Sequence, residues 1–150
     1  MRMQRRNGGR GQALVEFALV IPIFLLLLFG LIDIGHYVYV NNALDQGSRE
    51  AARVGSVMGF TQDCAGVTSR TQCIQQVALG RMAAAPLTTV SSNCNHLTGN
   101  GVVSVAADSC SPGDTLVVTL TTPFSMFTPV IAQLLGQTTL TGKATVTVNN

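Results

Sequence analysis

From Phe17 to Ile32 the chain reads FALVIPIFLLLLFGLI, sixteen residues without a charge. Few soluble folds can bury such a run, and a bilayer core takes about 20 residues of helix. Extending back to Ala13 admits Glu16, and extending forward to Val40 admits Asp33, for an apolar stretch of 28 residues. A transmembrane helix is therefore expected over about residues 13–40. Composition agrees: charged residues make up 11% of the chain, against about 25% in soluble domains. Arg2, Arg5, Arg6 and Arg10 precede the run, and no Lys or Arg follows until Arg49. That asymmetry puts the N-terminus in the cytoplasm and the remainder outside, as a single-pass protein of the inner, cytoplasmic membrane. A cleaved secretory signal fits less well, because no small-x-small site closes the run.

Helical patterning continues past the span in NNALDQGSREAARVG. Asp45 and Arg49 are spaced i,i+4, and Glu50 and Arg53 i,i+3, both suited to pairing on a helix surface. One helix is predicted from about Gly11 to Met58, kinked at Pro22, where one hydrogen bond is lost. Ala43, Gly47, Ala51, Gly55 and Gly59 recur every fourth residue. Glycine inside a helix costs about 1 kcal/mol against alanine, so Gly47 and Gly55 point to a close neighbour rather than to helix propensity.

Residues 60–150 carry three cations (Arg70, Arg81, Lys143) and three anions (Asp63, Asp108, Asp114). This neutral head offers no basic face for nucleic acid. In Ser69 to Ala84, apolar residues at Cys73, Ile74, Val77, Ala78 and Met82 suit an amphipathic helix. Val102–Ala106, Thr115–Thr121 and Thr138–Val148 read as strands, with a Ser-Pro-Gly-Asp turn at 111–114. Phe124 to Leu135 reads as a short helix packed on the sheet as core; the alternative is that part of it lies on the membrane or on a neighbouring subunit. The expected fold class is α+β: a long N-terminal transmembrane helix continuing into a small head with a three-stranded antiparallel sheet and short helices.

Cys64, Cys73, Cys94 and Cys110 all fall beyond the span, where disulfides persist. Four cysteines allow three pairings; the short spacings favour Cys64–Cys73 and Cys94–Cys110. A zinc site is the weaker reading, since no C-x2-C occurs and only His96 is near. His36 is expected at the membrane edge and His96 in a polar loop. No nucleophile elbow, zinc-protease motif or phosphate-binding glycine loop appears. No enzyme activity, cofactor or metal is expected.

Glu16 stands out. A carboxylate within a membrane helix costs on the order of 2–3 kcal/mol at the bilayer centre; pairing with Arg10 at the lip is the plain explanation. Its surroundings suggest another. Gly11-Gln12-Ala13-Leu14-Val15-Glu16-Phe17 resembles the prepilin peptidase site of type IV pilins, in the G-x-x-x-x-E-[YF] form of the tight-adherence (Flp) system. The likeness extends through the Q-A-L-V-E-F opening, Pro22, the leucine run, Asp33 and A-x-x-x-G-x-R-E-A-A-R from Ala43 to Arg53. Over residues 11 to 58 the chain is similar to the TadE-like family of minor pilins or pseudopilins. The resemblance implies a leader, residues 1–11, cut between Gly11 and Gln12 by a prepilin peptidase. It implies a mature helix over 12–58, with Glu16 and Phe17 in assembly. Implied partners are the membrane, other pilin or pseudopilin subunits and the pilus assembly platform, with possible incorporation into a pilus. The alternative function is a permanently anchored extracytoplasmic binding module.

Overall fold

A computed structural model describes residues 8–57, 64, 66–82, 89–99, 101–128, 133, 136 and 138–149, with side chains from Gly11 onward. Helix α1 (Gly8–Ser56) is 49 residues long and unbroken through Pro22, roughly 70 Å at about 1.5 Å per residue. Up to Ile32 its side chains are exposed or half-buried, and from Asp33 one face becomes buried. Val40, Leu44, Gly47, Ala51 and Val54 follow at spacings of three and four, and head residues cover them. Among the described residues α1 is the one helix long and apolar enough to cross a membrane.

The head carries a second helix, α2 (Arg70–Arg81), and strands β1 (Thr89–Thr98), β2 (Gly101–Ala106), β3 (Thr115–Phe124) and β4 (Thr138–Thr147). All pairs are antiparallel, in the order β2-β1-β3-β4. The sequence predicts three strands, and the sheet has four. The additional one, β1, reads TVSSNCNHLT and fully buries only Cys94. Polar residues on both faces hide its period of two; its partners on either side make it a strand. His96 thus stands on β1, not in a loop. The helix expected over Phe124 to Leu135 is absent at its start: Phe124 ends β3, and 125–128 are irregular. Residues 129–132 and 134–135 lie outside the described residues.

The strand β3 alternates in the expected way, with Leu116, Val118, Leu120, Thr122 and Phe124 buried against the helices. It descends antiparallel to α1. A Cβ on Gly55 would come within 2.8 Å of Ile74 and Leu116, and one on Gly47 within 3.3 Å of Leu120. The glycine spacing therefore serves helix–sheet and helix–helix contact. The tightest approach is on β4, where a Cβ on Gly142 would stand 2.7 Å from the carbonyl carbon and oxygen of Leu44. The helix α2 buries Cys73, Ile74, Val77 and Ala78, the apolar face predicted for it. Glu50 pairs with Arg53 at 2.8 Å and more loosely with Arg81 at 3.8 Å. Asp45 and Arg49, the other expected pair, form no ion pair among the described residues.

Two carboxylates tie the distal end together. Asp108 accepts hydrogen bonds from the backbone N–H and hydroxyl of Thr71 and from the hydroxyl of Ser69, the N-cap of α2. Asp114 accepts from the Ser111 N–H at 2.8 Å and meets His96 Nδ1 at 2.5 Å. It closes the predicted turn, in which Gly113 takes φ +93°. Cys64 lies within disulfide distance of Cys73 (Cα–Cα 5.1 Å), and Cys94 of Cys110 (5.6 Å). The first pair ties the segment after α1 to α2, and the second ties β1 to the stretch leading into β3.

Three outcomes follow. Gly142→Ala should lower unfolding stability by about 1–3 kcal/mol, the usual cost of overpacking, because the obstacle is backbone. Gly80→Ala, in α2 with open space around it, should gain up to about 1 kcal/mol; melting of the two detergent-solubilised variants compares them. Non-reducing peptide mapping should return Cys64–Cys73 and Cys94–Cys110, and a Cys73–Cys94 peptide would contradict that pairing. The third outcome concerns acid. Backbone N–H donation from Thr71, then its hydroxyl, holds Asp108 below the usual carboxylate range; Ser111 N–H, then His96, does so for Asp114. The folded state thus releases these protons more readily than the unfolded chain. Their stabilisation is complete above about pH 4, the unfolded value, and is lost as pH falls through the lower folded values. Asp108→Asn and Asp114→Asn should each be less stable at neutral pH and lose less on acidification, read by melting temperature across that range.

Candidate functional site

The first turns of α1 hold the expected processing and assembly residues. Gly11 is exposed, and a Cβ built on it would meet nothing within 4 Å. Every residue from Gly11 to Val20 is exposed. Gln12 Nε2 donates to Glu16 Oε1 at 3.3 Å across one helical turn. Phe17 is 61% exposed beside it. The helix thus presents Gly11, Gln12, Glu16 and Phe17 together, free of the head. The four cysteines belong to the other end of the molecule and share no surface with them.

A second polar feature lies where the span meets the head. Asp33 is buried on an otherwise apolar helix. It accepts from the Phe127 N–H at 2.7 Å, the Thr128 N–H at 3.1 Å and the Thr128 hydroxyl at 2.5 Å. A buried carboxylate needs such donors, since stranded charge costs several kcal/mol. One turn along α1, the His36 ring packs 5.1 Å from that of Phe124 and 5.2 Å from that of Phe127. Tyr37 meets Phe124 edge-on at 5.7 Å. Sequence reasoning takes Asp33 as the close of the span and gives it no partner. The signal was present, because an acid ending an apolar run must find donors. Which donors it finds depends on chain 94 residues away.

Tyr39, Asn42, Ala43, Gln46, Gly47, Glu50 and Arg81 line an open cleft between α1 and the end of α2, where Glu50 is paired with Arg53 and Arg81. Among the described residues no group of three or more His, Cys, Asp or Glu is gathered as metal ligands. His96, among the described residues, pairs with Asp114, not with Asp108, which the α2 N-terminus holds.

No curated protein matches the chain, and no solved structure does. A family model does match, over residues 11–53. That segment opens at Gly11, contains Glu16, the whole apolar run and Asp33, and ends at Arg53 within α1, short of the head. Over residues 11–53, the helix that carries this head, the chain is similar to TadE-like proteins.

Proposed function

We propose that this chain is a minor pilin or pseudopilin that takes part in assembling a tight-adherence pilus, after a prepilin peptidase removes residues 1–11. The observation that carries the reading is the family match beginning at Gly11, on a helix whose first turns are exposed and carry Glu16. The role is structural, not catalytic.

The chemistry suits it. Gly8, Gly9 and Gly11 are three of the first four residues of α1. Each is about 1 kcal/mol poorer than alanine in a helix, so the helix opens here at least cost to enter a peptidase. Cleavage after Gly11 frees an α-amino group on Gln12, largely or partly protonated near neutral pH. In lipid, that ammonium and the Glu16 carboxylate each cost several kcal/mol alone and much less when paired. Pairing Glu16 of one subunit with the Gln12 amine of the next sets axial register, and Phe17 packs beside it. The Arg-rich leader stays on the cytoplasmic side, where the peptidase cuts.

Gly11→Leu should keep residues 1–11 attached, because a bulky side chain replaces hydrogen at the cut. Glu16→Ala and Glu16→Val should be cut normally and stay in the membrane, yet fail to co-purify with partner pilins. Glu16→Asp, one methylene shorter, should assemble partially. N-terminal mass spectrometry and co-purification read the two halves separately. A wild-type chain that keeps Met1 to Gly11 in cells with an active prepilin peptidase defeats this reading and leaves a permanently anchored binding module in its place.

A further inference from the structure

We infer that Phe127, held against α1 by Asp33, is a second membrane contact that seats the head on the surface of the bilayer that α1 spans. The inference rests on the anchoring part of the proposed function, namely that α1 crosses a membrane. It goes beyond that by assigning the head's underside to lipid.

The level of the contact comes from the helix. Residues 13–32 make 20 positions, about 30 Å at about 1.5 Å per residue, which matches a hydrocarbon core of about 30 Å. Asp33 follows at once. It is also the first residue of α1 that the head buries. The segment on Asp33 is therefore the part of the described head nearest the span, and the lipid-embedded stretch ends near Ile32 rather than Val40. At this level Phe127 is 66% exposed although its backbone is hydrogen-bonded to Asp33. An aromatic ring left outward on a fixed backbone, at the level on α1 where Ile34 (63% exposed) and Tyr37 (45%) are also outward, continues the apolar surface of the span.

Charge distinguishes lipid from water as the occupant. From Thr115 to Gly142 the sequence holds no charged side chain, and β3 and β4 meet at Phe124 and Thr138 on this lower edge. The head's described carboxylates, Asp108 and Asp114, lie toward the opposite end of β3. A large exposed aromatic on an uncharged edge is the kind of side chain that inserts at the headgroup–acyl boundary, with its polar backbone satisfied by Asp33. The Asp33 carboxylate thus does two things: it removes its own charge from contact with lipid, and it fixes the depth of Phe127.

The chain has no tryptophan, so a single introduced one reports alone. The full chain carrying Phe127→Trp, Leu28→Trp or Leu97→Trp is reconstituted in phosphatidylcholine vesicles, plain or brominated on the acyl chain close to the headgroup. Leu28 marks the span and Leu97, 80% exposed on the distal β1, marks water. Phe127→Trp should emit to the blue of Leu97→Trp and lose most of its emission in brominated vesicles, while Leu97→Trp keeps its own. Adding Asp33→Ala, or the milder Thr128→Val, should weaken the quenching of Phe127→Trp; unchanged quenching with both overturns the part given to Asp33. Quenching of Leu28→Trp without quenching of Phe127→Trp overturns the lipid contact and leaves the anchor standing. A blue-shifted but unquenched Phe127→Trp overturns it too, in favour of a protein neighbour. If Leu28→Trp is also unquenched, the anchor reading fails and this inference fails with it.

Discussion

Gly142 on β4 has no room for a methyl group, because the carbonyl of Leu44 on α1 stands 2.7 Å from where it would go. That backbone-to-backbone approach sets the distance between helix and sheet. Gly47 and Gly55 extend the close seam up the helix, against Leu120 and Ile74. Once the spacing is set, Leu44, Leu116, Leu120 and Ile74 fill the interior and become fully inaccessible. A larger residue at Gly142 pushes the sheet off the helix and opens that core along its length. Burial per side chain is worth about 1.5–3 kcal/mol for residues of this size, so a small head depends heavily on one narrow contact.

The same helix serves two solvents. From Phe17 to Ile32 its surface is apolar all round and suited to lipid; above Asp33 one face is apolar and the other polar. The transition occurs within a single turn. It is marked by a carboxylate that lipid does not accommodate, and the head supplies its donors at Phe127 and Thr128. Anchor and head are thereby joined by directional bonds as well as by apolar packing.

The distal end of the head is secured differently. There the sheet edge is polar, and hydrogen bonds to Asp108 and Asp114, with the two cysteine pairs, take over where apolar area runs short. Asp108 caps α2 from across the chain, so the helix start and the turn before β3 move as one unit. The cysteine spacings of 9 and 16 residues are short loops, for which the chain-entropy gain is about 3 kcal/mol each. Small domains commonly need this supplement.

Local pattern was enough for the elements whose apolar residues repeat with a clear period. The uncharged run, the i,i+4 glycines, the buried face of α2 and the alternation of β3 and β4 were legible because each faces one environment along its length. The two cysteine pairs that lie within disulfide distance are the short-spaced ones. The likeness over Gly11 to Phe17 was readable for a different reason: it is carried by short contiguous sequence and needs no tertiary partner. What the tertiary structure alone decided lacks a local signature. The strand β1 is polar on both faces and exists because β2 and β3 pair with it on either side. Gly142 looks like a weak position in a strand until Leu44 arrives from α1. Asp33 shows that it needs donors, but Phe127 and Thr128 reach it only when β3 has descended the helix. Periodicity encodes which face is buried, while the partner on that face is set by where distant chain returns, and no local residue pattern carries that.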